Sequence, residues 1–367
     1  MERDKQELTR TAASEGGKPY TDSLVEVERA IKGVKITISE IHHQSGQEIP
    51  MGLTRSSVNR VAFTRKEPIG VVVAVSAFNH PLNLIVHQVV PAIAVGCPVL
   101  VKPASSTPLS CLKLVDLIEE AGMPEGWCQA IVCKGALAEK MVTDPRVNFF
   151  SFIGSAKVGW DLRSKLSAGT RCALEHGGVA PVIVEPDADL KNMVPLLAKG
   201  GFYHAGQVCV SVQRVFAHES IATTVARELA EIGKNMKVGD PLDPKTEIGP
   251  LISHSEVKRV HEWVEEAQRE GGEILCGGAP ISEALYPATV IYNPPLSVKV
   301  SSHEVFGPVV CIYPYKDVSQ AIAWANDLPY AFQASVFTKD INRAFSLTSA
   351  LNATAVINNI VFIIKYA

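Results

Sequence analysis

The run Gly70-Val71-Val72-Val73-Ala74-Val75-Ser76-Ala77 is followed at once by Phe78-Asn79-His80-Pro81. A strand with one wet face alternates apolar and polar side chains. This run is apolar at consecutive positions, so both of its faces must be covered. It predicts a buried strand over 70–77, closed by a turn. The pattern then repeats: 81–95 reads as helix, 98–102 as strand, 109–121 as helix, 127–132 as strand, 136–143 as helix, 147–153 as strand and 155–166 as helix. Continuous apolar strands alternating with helices predict a doubly wound parallel sheet in an α/β fold. Such sheets bind ligands beyond the carboxyl ends of their strands. Asn79, Lys102 and Gly154 all fall at or just after strand ends.

A second alternation follows Gly177. Strands are expected at 181–184, 213–217, 309–313, 334–337 and 355–358. Helices are expected at 190–200, from a cap at Ser220 to Lys237, and over 253–270. The boundary near Gly177-Gly178 predicts a cofactor domain over 1–176 and an α/β catalytic domain over 177–358, facing each other across a cleft that holds Glu175 and Cys209. Upstream, much of 3–40 reads as helical, with Leu24, Val27, Ala30, Ile31 and Val34 at helical spacing and Thr21 or Asp22 as a cap. Residues 50–68 read as a strand pair carrying Val58, Val61 and Phe63.

Composition narrows the function. The 367 residues are 47% hydrophobic and 20% charged, with a net charge of −3. No long run of Lys or Arg offers a footprint for nucleic acid, so small-molecule chemistry is expected. The eight cysteines form no C-x-x-C pair and lie mostly in apolar runs. That argues for a reducing, cytoplasmic setting and against a disulfide framework or a metal site. The most apolar stretch, 82–101, is broken by His87, Gln88, Pro91, Gly96 and Pro98, and no membrane span is expected.

Four residues suggest covalent acyl chemistry. Cys209 follows Gly206-Gln207-Val208; Glu175 opens Glu175-His176-Gly177-Gly178; Asn79 lies before His80-Pro81; Glu304 opens Glu304-Val305-Phe306-Gly307-Pro308. Alone, Cys209 between two valines reads as a small buried residue, Asn79 as a turn residue, Glu175 as part of a turn and Glu304 as a solvated loop acid. Together, a nucleophile, a carboxylate and a side-chain amide near glycine or proline are the parts of an acyl-transfer site.

Taken in order with Lys102-Pro103-Ala104, Phe152-Ile153-Gly154-Ser155, Gly239-Asp240-Pro241 and Gly249-Pro250-Leu251-Ile252, these runs resemble the aldehyde dehydrogenase superfamily across nearly the whole chain. The resemblance implies an NAD(P)-dependent oxidation of an aldehyde to its acid through a Cys209 thiohemiacetal and thioester. Asn79 and the Cys209 backbone N–H receive the oxyanion, and Glu175 is the general base. On the cofactor side it implies that Gly154 and Ser155 line the pyrophosphate, Lys102 holds the adenine ribose, and Glu304 holds the nicotinamide ribose beside Phe306. Ser105 stands where many NAD-preferring members carry Glu. A serine does not repel a 2′-phosphate, so NADP is expected to be accepted, with NAD as the other cofactor.

The flanks of Asn79 and Cys209 look most like members acting on small hydroxy-, phospho- or phosphono-aldehydes, such as lactaldehyde or glyceraldehyde 3-phosphate. The chain departs from the family at His176, usually Leu, and at Ala331, commonly Gly. It also departs at both ends, which lack the family's N-terminal segment and final strand; residues 359–367 form an atypical tail. The 50–68 hairpin would join subunits into a homodimer or homotetramer where those ends are supplied. Two alternatives follow: a truncated homologue without turnover, and an enzyme that transfers the acyl group to coenzyme A. The presence of Glu175 favours water over coenzyme A.

Overall fold

The computed structural model of the protein describes residues 1–361; the rest of the expected tail, 362–367, lies outside them. The chain forms two compact units, Met1–Leu8 with Glu26–Glu175 and Thr9–Val25 with His176–Ala367. The main change of unit falls one residue before the expected boundary. The segment Thr9–Val25, expected with the first domain, groups with the second unit.

The first unit is built on a five-stranded parallel sheet. Its order is Cys128–Ala130, Val99–Lys102, Val71–Val75, Val147–Ile153 and Arg171–Glu175. Side chains alternate across the pleat. Val72 and Ala74 enter one core with Val86, Val89, Val101 and Leu114, while Val73 and Val75 enter another with Phe150, Phe152 and Leu162. Two cores, one per face, are why the strand reads as an unbroken apolar run. Helices Asn83–Ala94, Leu109–Glu120, Gly135–Val142 and Ala156–Ser164 link the strands, each within two residues of its expected start or end. The helix Asn83–Ala94 has no capping side chain of its own. The buried Glu26 carboxylate accepts instead from Leu82 N at 2.8 Å and Asn83 N at 3.0 Å, meeting the orphan donors of that helix start.

The second unit carries a seven-stranded sheet ordered Glu273–Cys276, Thr289–Tyr292, Val309–Tyr315, Val212–His218, Ala180–Val184, Gln333–Phe337 and Ala355–Asn358. All neighbours are parallel except the first pair. Strands Arg171–Glu175, Glu273–Cys276 and Thr289–Tyr292 were not expected from sequence. Ser253 caps the helix His254–Arg269 through Glu256 N. Helix Glu219–Asn235 differs from expectation: its cap is the His218 ring, which accepts from Ser220 N, and Ser220 lies in the first turn.

The N-terminal helical region is two helices, Lys5–Gly16 and Tyr20–Ile41, broken at Gly17 (φ 71°) and Pro19. Thr21 and Asp22 therefore fall inside the second helix rather than at its cap. The expected hairpin is reduced to two-residue strands, Glu48–Ile49 and Ala62–Phe63. Its Val61 and Phe63 side chains are 82% and 76% exposed. No helix among the described residues is long and apolar enough to cross a membrane.

Candidate active site

In the first unit the chain leaves the strand Val71–Val75 toward one side of the sheet and leaves Val147–Ile153 toward the other. These two strands are neighbours, so a crevice opens beyond their carboxyl ends. Asn79 and Gly154 stand just past the two ends. Asn79 is 4% exposed, in a turn braced by Thr107, whose hydroxyl donates to Phe78 O at 3.4 Å. Lys102 pairs with Val75 in register, and Ser76 N donates to Lys102 O at 3.0 Å. The Lys102 ammonium is buried and donates to Pro103 O at 3.0 Å; burial lowers its pKa, opposed by the nearby Cys133. Ser105 is exposed, its hydroxyl donating to Cys133 O at 3.3 Å.

The strand that ends in Lys102 and the strand that ends in Glu175 run parallel and reach the same carboxyl edge of the sheet. Gly154 N donates to Glu175 O at 3.0 Å. A Cβ at Gly154 would lie 2.7 Å from the Phe152 ring, and one at Gly159 2.8 Å from the same ring. The ring thus sits directly beneath the turn, and only glycine leaves the backbone bare there. Ser155 heads the helix Ala156–Ser164 without bonding its first turn, so the N–H groups of that turn carry no side-chain cap. A bare turn at an uncapped helix start fits a phosphate. The Glu175 carboxyl is half-buried, and desolvation raises its pKa.

In the second unit the helix Leu190–Phe202 runs into the turn Tyr203–Gly206. His204 (φ 48°), Ala205 (φ 52°) and Gly206 (φ 69°) are three consecutive left-handed residues, a conformation costly for the two that carry a Cβ. Gly206 is required in any case, since a Cβ there would meet Gly307 O at 2.0 Å. Cys209 emerges half-buried, packed with Tyr203, Val208, Val210 and Phe332. Gln207, 1% exposed, fastens this loop to the next: it donates to Pro250 O at 3.4 Å and accepts from Ile252 N at 2.9 Å.

The loop that Gly206 abuts carries Glu304 and Phe306. Buried Gln213 holds it with three bonds: its amide donates to Val300 O and His303 O, both at 2.7 Å, and its carbonyl accepts from Val305 N at 2.9 Å. Arg259 donates to Val305 O at 2.6 Å. Phe306 is left-handed at φ 48°. The Glu304 Oε1 is buried without a hydrogen-bond partner among the described residues, and a Cβ at Gly177 would lie 2.0 Å from it. Desolvation pushes its pKa up to about 7, against the pull of Arg259. An orphaned carboxylate oxygen fits a ligand hydroxyl, the group this position takes in the resemblance. The His176 ring lies edge-on to Tyr330 at 4.6 Å, with Nδ1 3.2 Å from Gly177 O. No group of three or more His, Cys, Asp or Glu among the described residues could hold a metal ion.

The aldehyde dehydrogenase family model matches residues 1–365. The chain belongs to the aldehyde dehydrogenase family. It is 40% identical to the 3-sulfolactaldehyde dehydrogenase of Priestia aryabhattai, over 97% of this chain and 74% of that one. It also superposes on aldehyde dehydrogenase 21 from Physcomitrella patens in complex with succinate, the reaction product, at a TM-score of 0.95 and 35% identity, covering 99% of this chain and 76% of that one. A glyceraldehyde-3-phosphate dehydrogenase from Methanocaldococcus jannaschii complexed with NADP gives a TM-score of 0.94 at 36% identity, covering 100% of this chain and 79% of that one. The α/β aldehyde dehydrogenase fold is thereby shown, and the chain is an NAD(P)-dependent oxidoreductase by family.

Of the residues singled out by sequence, Asn79, Lys102, Ser105, Gly154, Ser155 and Glu175 gather on one sheet edge of the first unit. Cys209, Glu304 and Phe306 lie on adjoining loops of the second. Sequence reasoning missed Gln213, Arg259 and Glu26. Gln213 did carry a signal: it is an amide in a strand otherwise buried and largely apolar.

Proposed function

We propose that the protein oxidises a small hydroxy-, phospho- or phosphono-aldehyde to its acid, using NADP or NAD, with water as the acyl acceptor. The observation that carries this reading is the pairing of a half-buried Cys209, presented by a left-handed turn, with a Glu304 loop locked against that turn. The names of the relatives, among them lactaldehyde and 3-sulfolactaldehyde dehydrogenases, support the substrate class.

The Cys209 thiolate attacks the aldehyde carbon and forms a thiohemiacetal. The Asn79 side-chain amide and the Cys209 backbone N–H receive the oxyanion. Such a donor is worth roughly 3–4 kcal/mol of barrier. A nicotinamide held beside Glu304 and Phe306 would supply the acceptor for the hydride that leaves the substrate carbon. The acyl group then rests on Cys209 as a thioester. Glu175 takes a proton from water, which attacks the thioester and frees Cys209 and the acid. Desolvation of Glu175 makes it a stronger base than an ordinary carboxylate, as that step needs.

Binding falls to the same two sets of residues. The Gly154-Ser155 turn would hold the pyrophosphate, Lys102 the adenine ribose, and Glu304 the nicotinamide ribose, with Phe306 packing beside the ring. Ser105 places no carboxylate against a 2′-phosphate, which supports use of NADP. The exposed hairpin residues Val61 and Phe63 support association into a homodimer or homotetramer.

The test is formation of reduced cofactor with a panel of short aldehydes, run separately with NAD and NADP, beside a Cys209→Ala control. Turnover lost in the control is expected. Folded protein that turns over none of them would leave the non-catalytic homologue as the better reading. Turnover only with coenzyme A present would replace water as the acceptor.

A further inference from the structure

The crevice of the first unit opens where two neighbouring strands part. Val71–Val75 and Val147–Ile153 pair in register as far as Val75 and Phe152. Beyond that point each strand follows its other neighbour: Ser76 N donates to Lys102 O at 3.0 Å, while Ile153 pairs with Glu175. At the last step of the shared ladder one side chain bridges the two strands. The Gln88 amide nitrogen donates to Val75 O at 3.2 Å and to Ser151 O and Ser151 Oγ, both at 3.1 Å. Three acceptors around one end fix which end of the amide faces them, since its oxygen has nothing to donate. Gln88 lies on the helix Asn83–Ala94 and is 6% exposed, and its buried neighbours Ile85, Val86, Val89 and Val90 are apolar. Its own Oε1 is buried without a hydrogen-bond partner among the described residues. An apolar side chain would fill this space without leaving an acceptor unpaired. What Gln88 adds is the tie between the two strand ends.

We propose that Gln88 is a positioning residue for the cofactor: by holding Val75 and Ser151 to one nitrogen, it sets the span between the two walls of the crevice. This rests on the reading that Lys102 holds the adenine ribose and the Gly154-Ser155 turn the pyrophosphate. Lys102 and Asn79 belong to one wall, since Lys102 pairs with Val75 and Asn79 follows on the same segment. Gly154 and Ser155 belong to the other, just past Ser151 on its strand. The remaining bonds of each wall point outward. Thr107 donates to Phe78 O at 3.4 Å, and Gly154 N donates to Glu175 O at 3.0 Å. Gln88 ties the walls to each other. Without it the strand ends can spread, and a dinucleotide that touches both walls meets them at the wrong separation. A ligand that touches one wall alone does not feel the change.

The test reads binding, so its outcome is separate from whether any aldehyde is turned over; wild type that binds NADP and oxidises nothing removes the functional reading and leaves this one standing. Gln88→Met keeps the length of the side chain and removes its donors. Calorimetric titration compares two ligands. NADP reaches both walls, whereas 2′-AMP carries the adenine and 2′-phosphate without the pyrophosphate and reaches only the wall of Lys102 and Ser105. The expected result for Gln88→Met is an NADP dissociation constant raised about tenfold with that of 2′-AMP within about twofold of wild type. NADP held as tightly as by wild type overturns the proposal. An equal loss of both ligands also overturns it, because a merely structural residue would act in that way. If Gln88→Met does not fold, Gln88→Asn decides, since it keeps the amide but falls one methylene short of the two strands. Weaker NADP with unchanged 2′-AMP then supports the proposal, and unchanged NADP or an equal loss of both overturns it.

Discussion

Replacing Glu304 by Gln should stabilise the protein without ligand and weaken its hold on the cofactor, with a pH dependence set by one carboxyl. Glu304 has a folded pKa of about 7 against an ordinary 4.5, because desolvation outweighs the pull of Arg259. The sign follows from linkage. Between those two values the folded protein binds a proton at Glu304 that the unfolded chain does not, so the stability contributed by this group is full below about 4.5 and lost as pH rises through about 7. At about 1.4 kcal/mol per unit the loss is about 3 kcal/mol. Gln cannot ionise and keeps the shape against Gly177. The thermal midpoint of Glu304→Gln relative to wild type should therefore climb from about pH 5 to about pH 8 and then level off, by roughly 6–12 °C for a unit of this size. Cofactor affinity should move the opposite way. Ribose hydroxyls bond a carboxylate better than an amide, by about 1–1.5 kcal/mol, so wild-type affinity rises as pH passes about 7 and the variant's stays flat and weaker. Differential scanning fluorimetry over that range, beside fluorescence titration with NADP, measures both. A stability difference that does not change with pH would refute the reasoning, because it would mean that the carboxylate is not desolvated at all.

Three further outcomes follow from the same structure. Ser105→Glu should weaken NADP about 10- to 100-fold and leave NAD nearly unchanged, since the new carboxylate faces only a 2′-phosphate; equal dissociation constants for NADP in variant and wild type would remove Ser105 from the cofactor subsite. Glu175→Gln should keep the first-turnover burst of reduced cofactor but slow steady turnover by about 100- to 10,000-fold, with the acyl-enzyme visible by intact mass; a normal steady rate would assign the base elsewhere. Gln213→Leu breaks three bonds at about 1 kcal/mol each, so denaturant titration should show a loss of about 2–4 kcal/mol and NADP should bind more weakly, while Cys209 still alkylates normally; unchanged cofactor affinity would show that the Glu304 loop holds its shape without Gln213.

The parts of the fold that were legible share one property: burial on both faces. The strands at 70–77, 98–102 and 147–153 each send side chains into two cores, and an unbroken apolar run is what that demands. Strands at the rims read poorly for the converse reason. Arg171–Glu175 closes one end of its sheet, and its exposed and half-buried residues, Arg-Cys-Ala-Leu-Glu, give no run to follow. Glu273–Cys276 closes the other sheet as its antiparallel member, again with only its last residue buried. The helix cap at His218 was missed because an imidazole seldom takes the role usually filled by the serine two positions on. The hairpin was over-read: Val58, Val61 and Phe63 look like one face of a strand pair, yet each is more than half exposed among the described residues.

The site divides along a similar line. Side chains proposed to touch reactants are read from sequence because chemistry restricts them to a few residue types beside turns, as with Cys209, Glu175, Asn79 and Glu304. Side chains that hold those residues in place are restricted only by what they happen to meet in space. Gln213 bonds Val300, His303 and Val305, and no local pattern connects a strand amide to a loop some ninety positions on. Gln207 stands two residues from the nucleophile, and besides His204 its amide reaches Pro250 and Ile252. Glu26 caps a helix that begins at Asn83. In each case a buried polar group has its bonds met by a distant backbone, as burial requires.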